Sequence, residues 1–335
     1  MLYVTTRNKT DAYTSYHALC NDSSPNGGMY VPYQLPRLSE EQIGSLKDKS
    51  FGQCVADILN LFFSARLEAL DVDFCVGKCP SKLVPMSHKI VVAETWHNPD
   101  WDFASTVRNL TARMRGADGS SGAPSNWAWI AIRIAMLFGL FGEISRSLHL
   151  ASDEKLDVAV ATGDFTAPMA VWYAQQMGLP VGTIICGCGE NGSVWDLLHH
   201  GELHTDADVP VGLEQLIFGT LGWEHTRDYC EVCLRRGVYT VGEETLEKLR
   251  SEMFAAVVSR KRMESVIHSV YRTNTYMLGP DAALAYGGLQ DYRASTGETR
   301  PSLILAERSA VCAAETVANA LGITTGELKD RMGLG

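Results

Sequence analysis

Residues 155 to 189 read KLDVAVATGDFTAPMAVWYAQQMGLPVGTIICGCG, and their pattern decides the fold class. KLDVAVATGDF reads as an apolar strand that runs into a glycine-containing loop, TAPMAVWYAQQMGLP as a helix, and VGTIICGCG as a second strand. Strand, glycine loop, helix and strand in that order describe a βαβ unit, which requires a parallel sheet. The chain is therefore expected to be α/β.

Outward from this unit the same alternation continues. Toward the C-terminus, SVWDLLHHGEL reads as a helix, and the last third reads as mainly helical with a final strand at PSLILAE. Toward the N-terminus, residues 1 to 35 read as short strands and turns, with an Asn-Gly turn signal in SPNGGMYVP. Residues 39 to 70 carry helical signals, with Ser39-Glu40-Glu41 near a start and apolar spacing through VADILNLFF. LVPM and KIVVAETW read as strands, and TVRNLTARMR as a helix. The only Gly/Ser-rich stretch is GADGSSGAPSN, and the expected organisation is an N-terminal segment 1–115, a linker 116–125 and an α/β core 126–335, together one compact unit.

Composition narrows the function classes. In 335 residues, 46% are hydrophobic and 20% charged, as in ordinary soluble globular chains. A net charge of -10 with no basic block excludes nucleic acid as an expected partner, because phosphate backbones are held by clustered Lys and Arg. MLYVTTRNK has no apolar h-region and no small-residue cleavage site, so no secretory signal is read. The long apolar run from Trp127 to Ile144 is broken by Arg133 and carries Glu143, which points to a buried helix and not a membrane span. A cytoplasmic location is expected. Nine cysteines, an odd number, fit reduced thiols.

Several residue groups could carry chemistry. The loop Gly163-Asp164-Phe165-Thr166 lies between a strand and a helix, where α/β sheets bind anions, but Asp164 would repel a phosphate and is a good helix N-cap. Cys186, Cys188, Cys230 and Cys233 form a CxC and a CxxC pair, a weak basis for a four-thiolate metal site, and no metal is expected. His199 and His200 are sequential on a helix and point in different directions. The stretch from Glu94 to Arg113, ETWHNPDWDFASTVRNLTAR, mixes His97, Asp100, Asp102 and Ser105 on a turn that enters a helix. It resembles an active-site entrance without a nucleophile, since nothing around Ser105 forms a nucleophile elbow.

In order along the chain, five segments resemble threonine synthase, a fold-type-II enzyme dependent on pyridoxal phosphate (PLP). MLYVTTR with SPNGGMYVP is similar to that family's first strand and turn, and SNWAWI to its INWARI helix start. TGDFTAPMAVWYAQQMGLPV resembles its TGNFG…GYYAKKMGLPI, GCGENGSVWDLLHHGEL its TNENDILTRFLKTGEY, and TYMLGPDAALAYGGLQDY its Y-LLDPHTAVGY element. The resemblance implies a threonine-synthase-like core with a parallel sheet and flanking helices. It also marks Asn126, Glu190 and Asn191 as ligand candidates.

Against that resemblance the departures stand out. The family's HGPTLAFKDF carries the Schiff-base lysine; HNPDWDFAST stands in its place, with Ala104 at the lysine position and no lysine between Ile90 and Glu154. Gly163-Asp164-Phe165-Thr166 replaces the phosphate loop GNFG, and Ala306-Glu307-Arg308-Ser309 replaces the TAHP element by the pyridine ring. The segment GADGSSGAPSN occupies the junction where the small cofactor-covering domain would begin, so that domain is expected to be absent. PLP chemistry needs an imine to a lysine that also moves protons, and alanine does neither. A shortened, degenerate homologue is expected, without covalent PLP, acting as a scaffold or regulatory binding protein through homo-oligomers, a protein partner or a small metabolite. The alternative is a PLP-independent enzyme using His97, Asp100, Asp102, Asp164 and Glu190.

Overall fold

The computed structural model describes residues 1–76, 82–96, 102–116, 122–151, 154–205 and 209–334. Three sheets organise them. β1 (Leu2–Thr5), β2 (Asn8–Thr14) and β3 (Tyr30–Pro32) form a small antiparallel sheet in the order β2-β1-β3. β4 (Lys82–Pro85), β5 (Ile90–Glu94), β6 (Leu156–Ala161), β7 (Val181–Cys188), β10 (Phe254–Val257) and β11 (Ser302–Ala306) form the central sheet, in the order β10-β7-β6-β11-β5-β4. Only β4 runs antiparallel in it. β8 (Glu202–His204) and β9 (Val238–Thr240) make a two-stranded ribbon.

The inner strands β5, β6, β7 and β11 are mostly apolar because both faces are covered. Side chains alternate between the faces: Leu303 and Leu305 of β11 enter one core, Ile304 and Ala306 the other. On one side lie the helices Phe51–Phe63, Trp127–Leu148 and Thr166–Gln176; on the other lie Arg260–Asn274 and Pro280–Thr296. The second layer approaches closely. A Cβ on Gly187 of β7 would come within 2.2 Å of the Leu284 carbonyl oxygen, so only glycine fits there.

Local signals explain the helix starts. Ser50 and Gln53 close a capping box at the head of Phe51–Phe63, and Ser39 with Gln42 does the same for Glu40–Gly44. Trp127–Leu148 is long and apolar enough to cross a membrane by composition, yet it is packed inside the core between two other helices. Each large side chain it buries stabilises the fold by about 1.5–3 kcal/mol.

Three expectations need correction. Residues 1 to 35 also hold a helix, Ser15–Cys20, with Thr14 as its N-cap. The helix read through SVWDLLHHGEL stops at His200, because Gly201 takes φ +71° as its C-cap and Glu202–His204 then pairs with β9. β9 and the edge strand β10 were not separable from the helical pattern around them, being three and four residues long. The segments 1–115 and 126–335 share one sheet, since β5 pairs with β11.

At the opposite end of β5, the turn from β4 is made by Ser87, His88 and Lys89. His88 and Lys89 both adopt left-handed backbone, with φ of +61° and +58°. For residues with a Cβ this conformation costs about 1–2 kcal/mol each.

Candidate functional site

The carboxyl ends of β6 and β11 converge on a cavity of about 220 Å³, the position where open α/β sheets hold their ligands. Thr162, Gly163 and Asp164 from the loop after β6 line it, with Arg133 from the Trp127–Leu148 helix, Asp281 from Pro280–Thr296, and Glu307 and Arg308 after β11.

These side chains form a chain of contacts. Arg133, 6% exposed, makes a bidentate pair with Glu307, Nε to Oε1 at 2.6 Å and Nη2 to Oε2 at 2.9 Å. Its Nη1 donates to Thr166 Oγ1 at 3.0 Å, and the Thr166 hydroxyl in turn donates to Asp164 Oδ1 at 2.5 Å. Asp164 Oδ1 also accepts the Thr166 backbone N–H at 2.9 Å. The guanidinium of Arg133 lies 4.0 Å from the Phe103 ring centroid and 5.3 Å from that of Trp129, so its remaining face is covered by aromatic rings. Arg308 donates from Nε and Nη2 to Asp281 Oδ2 at 2.9 and 2.6 Å, and this carboxylate raises its pKa further.

The residue at the family's lysine position is close to this network. Asp102 caps the helix Phe103–Arg115, accepting the Ser105 N–H at 3.1 Å and its hydroxyl at 3.3 Å. Ala104 sits in the first turn, and the neighbouring Phe103 N–H donates to the Glu307 carbonyl at 3.2 Å. His97 and Asp100 lie outside the described residues. Just before them, Glu94 ends β5 with its side chain 5% exposed, 3.9 Å from Lys82. Burial raises its pKa, against a hydrogen bond with Tyr276 and the attraction of Lys82.

The other residues singled out in the sequence do not join the cavity. Asn126 is fully buried as the N-cap of Trp127–Leu148: its Oδ1 accepts the Ala128 N–H, and its Nδ2 faces the Leu19 and Asn21 carbonyls and Asp22. Glu190 is exposed and accepts the Arg260 N–H at 3.1 Å at the head of Arg260–Asn274; Asn191 beside it is also exposed. His199 stacks on Trp195 with centroids 4.4 Å apart. The four thiols of the weak metal alternative are not brought together among the described residues. Cys186 and Cys188 are in β7 and Cys230 and Cys233 on the helix Trp223–Arg235, and no group of three or more metal-ligating side chains occurs among the described residues. Burial pushes Cys188 and Cys230 up to about 12, which keeps the thiols protonated.

Arg133 was missed as a site residue, and its only signal was that one arginine interrupts an apolar helix. Buried cations need a partner. That rule calls for a carboxylate, but the partner is 174 residues away in sequence.

Residues 2–79 match the family model described as Threonine synthase N terminus. Over this stretch the chain is similar to the threonine synthase family. It is 21% identical over 193 residues to Threonine synthase-like 1 of Homo sapiens, covering 50% of this chain and 24% of that protein. With Threonine synthase-like 2 of Mus musculus it shares 25% over 123 residues, 34% of this chain and 26% of that protein. The chain thus spans about a quarter of these curated relatives. In fold it is similar to the PLP-bound threonine synthase of Brucella melitensis, with a TM-score of 0.83 at 20% identity over 96% of this chain and 92% of that one. The yeast threonine synthase matches with a TM-score of 0.82 at 14% identity over 100% and 94%.

The residues around the cavity do not fit PLP. Position 104 offers a methyl group where an imine needs an amine. The N–H at the head of Thr166–Gln176, which would face a phosphate, already bonds to the chain's own carboxylate.

Proposed function

We propose that this chain is a member of the threonine synthase family that has lost PLP catalysis and acts as a non-catalytic binding, scaffold or regulatory protein in the cytoplasm, as a homo-oligomer or with a protein partner. The observation that carries this is the Asp164 carboxylate at the head of Thr166–Gln176, tied through Thr166 and Arg133 to Glu307. An anion placed there by the protein excludes a second anion, because two unscreened negative charges at one helix start repel. Alanine at 104 removes the covalent anchor as well. The reading includes loss of the covering domain at the 116–125 junction, which would leave the cavity open to water and weaken any electrostatic catalysis.

A PLP-independent enzyme built on the polar residues finds less support. Asp102, Asp164 and Glu190 each accept a backbone N–H at a helix start, so none is free to act as an unengaged base.

The test is an absorbance spectrum of the purified chain with and without added PLP, followed by borohydride reduction. The expected result is no internal-aldimine band and no covalent adduct. A reducible yellow adduct would show that a lysine distant in sequence reaches the cavity, and would overturn the proposal.

A further inference from the structure

A wide opening lies at the other end of the central sheet. A cavity of about 720 Å³ is bounded by the β4–β5 turn, one face of Pro280–Thr296 and the loop before β11. Its floor is Ile90, Tyr286 and Leu289, all buried, and Tyr286, Leu289, Gln290 and Arg293 recur at the spacing of a single helix face. That volume is typical of small-molecule sites.

Two cationic side chains, Lys89 and Arg293, stand around this apolar floor. Arg293 donates only to uncharged oxygens: the His88 carbonyl at 3.0 Å, the Arg300 carbonyl at 2.8 Å and Ser302 Oγ at 3.0 Å. Its Nε is buried with no hydrogen-bond partner, and no carboxylate lies within ion-pair distance among the described residues. Glu298, the one acid lining the cavity, pairs with Arg300 at 3.1 Å, and its carboxylate also accepts the Thr299 and Arg300 N–H groups. Burial lowers the pKa of Arg293 and outweighs the opposing attraction of Asp157 and Glu298, neither of which lies within ion-pair distance of it. Across the cavity, the left-handed backbone at His88 and Lys89 brings two more basic side chains to the rim. Strained backbone of this kind persists where the surroundings hold it, as the bond from Arg293 to the His88 carbonyl does here.

We propose that this cavity binds a small organic monocarboxylate with an apolar body, the head placed against Arg293 and Lys89 and the body on Ile90, Tyr286 and Leu289. An anion there gains a partly desolvated, charge-assisted hydrogen bond, and a neutral ligand of the same shape gains only the apolar contact. This site is separate from the cavity at the carboxyl ends of the strands and does not depend on whether PLP binds.

The experiment is isothermal titration calorimetry of the full chain with octanoate, and with octanamide as its neutral counterpart. Octanoate is expected to bind at one saturable site about tenfold or more tightly than octanamide. Lys89→Glu and Gln290→Glu, both at exposed positions, are each expected to weaken octanoate several-fold and leave octanamide unchanged. Arg293→Gln should remove octanoate binding altogether. Because that arginine also ties the turn to the loop, the two exposed variants carry the test if Arg293→Gln fails to fold. Equal affinity for the two probes, no saturable heat, or octanoate binding indifferent to Lys89→Glu and Gln290→Glu would each overturn the proposal.

Discussion

The two ends of the central sheet handle charge in opposite ways. At the carboxyl ends of the strands, Arg133 meets Glu307, Arg308 meets Asp281, and Asp164 meets the head of Thr166–Gln176. At the amino ends, Arg293 hydrogen-bonds only neutral oxygens, and the carboxylates that act on it, Asp157 and Glu298, stand beyond ion-pair distance. A ligand entering the first region must break existing contacts and compete with a carboxylate already in place. A ligand entering the second would give Arg293 a direct ion-pair contact, which it lacks among the described residues. In this fold, therefore, the customary ligand position is the self-satisfied end, and the end that usually serves stability is the one left with unmet polar demand.

Three variants sharpen or break this contrast. Glu307→Leu leaves Arg133 buried without its partner and is expected to destabilise the chain by about 3–5 kcal/mol in urea unfolding. Adding Arg133→Met should recover most of the loss, since a matched apolar pair replaces a stranded charge. A double variant no more stable than the single one would show that the pair is not electrostatically coupled. At the opposite end, His88→Asn with Lys89→Gly places residues that tolerate left-handed backbone in the turn, and should stabilise the chain by about 1–2 kcal/mol while weakening octanoate. If stability did not rise, the turn would not be holding strain.

The smallest expected effect is at Glu94. Burial raises its folded pKa above the ordinary 4.5, so between 4.5 and that raised value the native state holds more protons than the unfolded chain. Stability therefore falls as pH rises through this window and stays lower above it. Glu94→Gln should raise Tm by about 2 °C at pH 7 and leave it unchanged below pH 4.5. The same shift at both pH values would mean that packing, and not charge, sets the effect.

Much of the fold was legible before any coordinates. The βαβ unit at 155–189, the buried helix behind Arg133 and the strands at LVPM, KIVVAETW and PSLILAE all appear where periodicity put them, because their apolar runs are long enough to specify one period. Short elements were not. Ser15–Cys20, β8, β9 and β10 are three to six residues each, too few to distinguish a strand from a helix or turn without their partners. The site divides in the same manner. Asp164 reads as a helix cap from its position alone, and in the structure it accepts the Thr166 N–H.

By itself the sequence determined the α/β class, the resemblance to threonine synthase and the absence of a lysine at position 104, since each depends on residue identity or on local spacing. Only the tertiary structure decided which charges are neutralised. It brings Glu307 to Arg133 across 174 positions and leaves Arg293 without a carboxylate in direct contact. Whether a buried charge is paired depends on distances through space, and a linear pattern carries no information about those until the sheet order has been set.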